Sequence, residues 1–274
     1  MGGLRRFSIN PIPAGYNNSV LKFYVEILMT PYEKQIKSTE DTIDAEFWKN
    51  PCGVEVEFDQ LKFLYLPDHV SAFIASQIAR QVYRYQIENI STKEQITHAV
   101  MITMGGLLPG VLLHDHLAWT LNKNISPIKF GMMGVKYYAG PGEPLEKPEI
   151  VHALSMDIEN QVVSVVEDLV DLGGTARFVA QYLVDEHRAR KIILIAPFLK
   201  TTEVMNEMLV IYYGSVPKDT WIITPREKVE TLIKRVPHWR DHGATMKVCE
   251  ANLLKIGYPK YLLDIYLRPT YERG

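Results

Sequence analysis

Glu167-Asp168-Leu169-Val170-Asp171 sets carboxylates close together on the chain, and Leu172-Gly173-Gly174-Thr175 follows at once. Carboxylates in such a cluster suit ribose hydroxyls, directly or through Mg²⁺. The two glycines let the backbone approach an anion, and the amides at the start of Thr175-Ala176-Arg177-Phe178-Val179-Ala180-Gln181-Tyr182-Leu183 would present N–H groups at the positive end of a helix dipole. One short loop could therefore hold both the sugar and the phosphate of a ribose 5-phosphate. An isolated Gly-Gly-Thr is more often a tight turn. Here it stands in register with an apolar run, Val162 to Val166, that ends in the first two carboxylates, so the phosphate cradle is the better reading.

Two further segments carry groups of the right kind. Met104-Gly105-Gly106-Leu107-Leu108-Pro109-Gly110 follows an apolar stretch and opens a helix, which again suits an anion held on backbone amides. Ile195-Ala196-Pro197-Phe198-Leu199-Lys200 ends an apolar segment with a cation, and Val216-Pro217-Lys218-Asp219-Thr220-Trp221-Ile222 brings an aromatic face shortly after the next apolar stretch. Alone, Lys200 reads as a solvated loop cation and Trp221 as a packing aromatic. Placed after consecutive strands, they can converge on one pocket.

The elements that must position these residues alternate. Strands are expected at His98–Met104, Ile128–Val135, Val162–Val166, Lys191–Ala196 and Met208–Tyr213, with helices at Val70–Gln86, Pro109–Leu121 and Ala176–His187. Such alternation predicts an α/β fold, a parallel doubly wound sheet whose ligands gather beyond the carboxyl ends of the strands. Tyr138 to Pro148, with three prolines, two glycines and no apolar period, reads as an exposed loop and a candidate lid. Leu21–Leu28 and Val54–Phe58 read as strands of an accessory segment.

The run Glu-Asp-x-x-Asp-x-Gly-Gly-Thr after an apolar strand resembles the phosphoribosyl pyrophosphate (PRPP) signature of the type I phosphoribosyltransferases. With Gly105-Gly106 and the segments ending in Lys200 and Ile222, the resemblance spans roughly residues 98 to 225 and is nearest to the xanthine-guanine and hypoxanthine-guanine enzymes. It implies the type I phosphoribosyltransferase fold, with an N-terminal addition at 1–65, a core at 66–225 and a C-terminal helical extension at 226–274. It implies transfer from PRPP to a 6-oxopurine with release of pyrophosphate, and Mg²⁺ held through PRPP near Glu167 and Asp168, which face the ribose hydroxyls. Asp171 to Thr175 would bind the 5-phosphate, and Met104 to Gly106 would form the pyrophosphate loop. Lys200 would reach the purine 6-oxo group, Trp221 would stack on the ring, Ile222 would add a backbone contact, and Asp171 would transfer the proton near N7. A homodimer or higher homo-oligomer is expected.

Two positions depart from the pattern. Met104 replaces the usual basic residue before Gly-Gly and cannot pair with phosphate. Leu172 stands where the cradle commonly has Thr, removing a hydroxyl donor. Lys136, Arg177 or residues of the candidate lid are the cations available to compensate. Met104 favours a rival, a non-catalytic protein of the same fold that senses PRPP or a nucleotide, and a phosphoribosyltransferase for another nucleobase is a second alternative.

The rest of the sequence bounds the partners. Its 274 residues are 47% hydrophobic, and 30 basic residues are balanced by 32 acidic ones for a net charge of −2. No nucleic-acid or membrane partner is expected from that balance. Cys52 and Cys249 are too few and too far apart for a disulfide framework, which favours the cytoplasm. His238 and His242 share a helical spacing, but no third ligand accompanies them.

Overall fold

The structure is a computed structural model that describes residues 43–120, 122–140 and 143–273. The strand expected at Leu21–Leu28 lies outside these residues. Ala45–Gly274 is a compact unit, the second of the two into which the chain divides.

In chain order the second unit holds β1 (Val54–Glu55), β2 (Lys62–Tyr65), α1 (Asp68–Glu88), β3 (His98–Thr103), α2 (Leu107–Leu117), β4 (Lys129–Gly140), β5 (Glu143–His152), β6 (Val162–Val166) and β7 (Leu169–Val170). Then come α3 (Gly174–Asp185), β8 (Lys191–Leu199), β9 (Leu209–Ser215), β10 (Thr220–Ile223), α4 (Lys228–Asp241), α5 (Met246–Ile256) and α6 (Lys260–Glu272). The larger sheet runs β5-β4-β3-β6-β8-β9, and β7 pairs with β8 beyond the end of β6. Every pair is parallel except β4 with β5.

Helices on both faces explain the apolar runs. Every residue of β6 is buried, as a central parallel strand requires. Val163 and Val165 face Ala176, Val179 and Leu183 of α3 in one core. On β3, Met101 meets α2 so closely that its sulfur would lie 2.4 Å from a Cβ placed on Gly110. This is the expected doubly wound α/β sheet. No helix among the described residues is long and apolar enough to cross a membrane.

The stretch Tyr138–Pro148 differs from the expected loop. Outside residues 141–142 it belongs to β4 and β5, a long antiparallel hairpin whose register shifts at several points. A hairpin at the edge of a sheet can be held by backbone hydrogen bonds without an apolar period, and β5 as an edge strand tolerates Pro144 and Pro148.

A second, smaller sheet pairs β2 antiparallel with β1 and parallel with β10. Residues 45–65, read as part of an accessory segment, and residues 226–274, read as an extension, here share one core: Phe63 and Ile223 pack with Leu232, Val236, Trp239, Leu253 and Leu263.

Candidate active site

The acidic turn is placed by the most buried strand of the sheet. Glu167 continues β6, its N–H donating to Ile195 O at 3.0 Å. The short β7 then pairs Val170 with Leu199, and the Lys200 N–H donates to Val170 O at 2.8 Å. This stapling fixes Asp171 beside the end of β8. Gly173 lies at φ +78° just before α3, a conformation in which a side chain is strained. The Leu172 side chain points outward, 69% exposed. Arg177, a candidate to replace the missing hydroxyl, is otherwise engaged: Nη1 donates to Leu172 O at 2.8 Å and Nε to Glu207 at 2.7 Å. It braces the loop from behind.

Gly105 and Gly106 are required by closeness. A Cβ on Gly106 would fall 1.9 Å from Val166 O, and one on Gly105 would fall 2.5 Å from Asp168 Oδ1. The Gly-Gly loop therefore lies directly against the acidic turn. Met104, whose peptide bond with Thr103 is cis, is 61% exposed and does not line the cleft. Lys136 is also exposed and absent from the lining, although its neighbour Val135 belongs to it.

Gly105, Glu167 and Asp168, all of 171–175, Lys200, Trp221 and Ile222 line one open cleft of about 620 Å³, within the range of small-molecule sites. Lys200 Nζ stands 3.5 Å from Asp171 Oδ2; the lysine side chain is 10% exposed and the aspartate 52%. Trp221, aligned with Phe63 across the β2–β10 pair, is partly buried against the smaller core while it lines the cleft.

Four charged residues of the same cleft, Arg226, Glu227, Glu230 and Lys234, escape a reading of the sequence. Arg226 Nη2 lies 3.3 Å from Asp168 Oδ2 and 2.8 Å from Glu227 Oε1, and Nη1 lies 3.6 Å from Glu230. Thr224 Oγ1 donates to Glu227 Oε2 at 3.1 Å. The signal available in the sequence is position, since Arg226 follows β10 by only three residues and so emerges at the carboxyl end of a strand.

Burial dominates the electrostatics. It raises Glu167 well above the usual carboxylate range, with the Asp168 charge adding to the shift and Arg226 opposing it. Asp168 is also raised, by burial against the pull of Arg226, and Glu227 by burial and then by Asp168. Carboxylates thus outnumber the cation beside them, and their oxygens are of the hard kind that Mg²⁺ takes as ligands. Among the described residues no group of three metal-ligating side chains converges. Mg²⁺ that arrives with a substrate's phosphates takes only one or two carboxylates besides, and Glu167 and Asp168 would supply them.

A strand-borne acidic turn, an amide-rich loop at a helix start and an aromatic side chain meet in this one cleft. The sequence model of the phosphoribosyl transferase domain matches residues 69–224, and the chain belongs to that family of transferases. Similar solved structures include the purine phosphoribosyltransferase from Pyrococcus horikoshii Ot3, with 22% identity, a TM-score of 0.45 and coverage of 60% of this chain and 92% of that one. A hypoxanthine phosphoribosyltransferase from Staphylococcus aureus matches with 16% identity, a TM-score of 0.38 and coverage of 52% and 74%. A hypothetical protein from Neisseria gonorrhoeae with bound ppGpp matches with 14% identity, a TM-score of 0.48 and coverage of 70% and 98%. No curated protein matches the chain.

Proposed function

We propose that this phosphoribosyltransferase transfers the phosphoribosyl group of PRPP to a 6-oxopurine and releases pyrophosphate. The observation that carries the reading is the Lys200–Asp171 pair, 3.5 Å apart in the cleft that also holds the phosphate loop and Trp221. On an oxopurine, O6 is an acceptor next to N7, so a lysine and a carboxylate side by side match the neighbouring O6 and N7–H of the base. A 6-amino group would instead turn a donor toward the lysine, which has no acceptor to offer.

The residues then divide the work. Amides of Leu172 to Thr175 hold the 5-phosphate, while Glu167 and Asp168 accept from the ribose hydroxyls. Trp221 stacks on the base, and the backbone at Ile222 contacts its edge. As the base N9 forms its bond to the anomeric carbon and the bond to pyrophosphate breaks, Asp171 takes the N7 proton. Mg²⁺, brought with PRPP and held near Glu167 and Asp168, neutralises pyrophosphate charge when bound.

The test is incubation with PRPP, Mg²⁺ and separate nucleobases, with pyrophosphate release as readout. Release with hypoxanthine, guanine or xanthine and not with adenine is the expected result. Release with a different nucleobase alone would reassign the substrate, and PRPP binding without turnover of any base would leave a PRPP-binding module.

A further inference from the structure

The pyrophosphate end of the cleft lacks its expected cation. Met104 offers a thioether without an N–H and turns to solvent, and Lys136 is exposed on β4 without lining the cleft. A leaving group with several negative charges still has to be bound while its bond to the sugar breaks.

Arg226 stands where that cation is needed. Its guanidinium caps Asp168 at 3.3 Å, and the other oxygen of Asp168 lies 2.5 Å from the position a Cβ would take on Gly105. Guanidinium, carboxylate and the bare backbone of Gly105 thus adjoin one another in the cleft. One donor of the guanidinium is left unused in its present place. Asp168, Glu227 and Glu230 all draw on its terminal nitrogens, while Nε is buried and meets no acceptor among the described residues. An arginine with an unused donor and a displaceable partner is poised to move.

We infer that Arg226 is the pyrophosphate-binding cation of this protein, replacing the basic side chain absent at position 104 and resting on Asp168 while the cleft is empty. Incoming ribose hydroxyls take the acceptor oxygens of Asp168, and the released guanidinium turns to the pyrophosphate oxygens, a planar fork matched to a phosphate. Glu227 and Glu230, which pair with Nη2 and Nη1, give up part of their hold when the guanidinium turns. The turn between β10 and α4 thereby contributes to the chemistry as well as to the wall. The inference rests on the phosphoribosyl-transfer reading.

The experiment measures binding of pyrophosphate, PRPP and a nucleoside 5′-monophosphate by calorimetry, with and without Mg²⁺. The proteins are wild type, Arg226→Gln, Met104→Arg and the double variant. Arg226→Gln should weaken pyrophosphate and PRPP about 10–100-fold, the value of a charge-assisted contact, while the monophosphate, which lacks a pyrophosphate, stays within about threefold. Met104→Arg placed on Arg226→Gln should restore most of that loss. Should Arg226→Gln fold poorly, Arg226→Lys keeps the charge but not the fork and should weaken pyrophosphate about 3–10-fold. Pyrophosphate binding indifferent to residue 226, or equal loss of pyrophosphate and monophosphate with no rescue by Met104→Arg, would overturn the inference and leave the transfer reading standing. Absence of PRPP binding in every protein, wild type included, would overturn the transfer reading itself.

Discussion

Lys200 Nζ lies 3.5 Å from Asp171 Oδ2, although the residues are 29 positions apart. The contact follows from strand pairing: β7 beside the end of β8 brings Val170 to Leu199, and the Lys200 N–H bonds the Val170 carbonyl at 2.8 Å. The lysine side chain is nearly buried and the aspartate half exposed, so the pair opens on the side of the cleft. A ligand that offers an acceptor to one and a proton to the other replaces the ion pair without leaving either unpaired.

Asp171→Asn is expected to lower turnover by about 10²-fold or more while PRPP affinity stays nearly intact, the range for a general acid–base group. The backbone amides proposed to hold the phosphate are unchanged by this substitution. Steady-state kinetics with a parallel PRPP titration would check it, and normal turnover would remove the assigned role.

Lys200→Ala should chiefly affect choice of base. Losing a charged hydrogen bond to the 6-oxo group costs about 1.5–3 kcal/mol, so the preference for hypoxanthine over adenine in kcat/KM should fall about 10–100-fold. A variant that discriminates as well as wild type would contradict the contact.

Gly105 and Gly106 should respond differently to alanine. At Gly106 the added Cβ meets backbone, Val166 O at 1.9 Å and Ile102 N at 2.9 Å, so the loop must leave the strand end. At Gly105 it meets the carboxylate of Asp168, a side-chain end that can rotate. Gly106→Ala is expected to lower the melting temperature and abolish PRPP binding, whereas Gly105→Ala keeps the fold and weakens PRPP. Equal melting temperatures for the two variants would show that the closeness at Gly106 is not limiting.

The parts legible in the sequence are those encoded by neighbouring residues. Val162 to Val166 reads as a buried strand because all five residues are apolar or small, and it is one. The glycines before α2 and α3 announce loops that approach other backbone. Arg226, Glu227, Glu230 and Lys234 are not legible as site residues, because their charge pattern matches any solvated helix start. They enter the cleft only through the pairing of β10 with β2, register Trp221 to Phe63, across more than half the chain. The hairpin of β4 and β5 is hidden for a related reason: it carries no side-chain period, and its pairing is a property of the backbone. Met104 stands out in the sequence as a departure, but Lys136 lies outside the cleft that its place in the motif order suggests.

The cleft wall is held in place by a buried carboxylate. The side chain of Asp59, 2% exposed, accepts from Arg235 Nε at 2.9 Å, from Trp239 Nε1 at 2.7 Å and from the Leu61 N–H at 3.0 Å, and Arg235 Nη2 pairs with it as well. Burial pushes its titration upward, but the hydrogen bonds from Arg235, Leu61 and Trp239 prevail and hold it below the ordinary value. A carboxylate lowered in the folded state adds stability above its unfolded pKa, about 4, and that stability is lost as pH falls through the folded value. The melting temperature of wild type should therefore decline below about pH 4, and Asp59→Asn should flatten that part of the profile. Near neutral pH the substitution leaves Arg235 without its charge partner and should cost on the order of 3 kcal/mol. Arg235 and Trp239 lie on α4, which also carries Glu230 and Lys234 into the cleft, so PRPP affinity should weaken along with stability. An Asp59→Asn profile that keeps the wild-type acid slope would show that other carboxylates, not Asp59, set the acid limit of this fold.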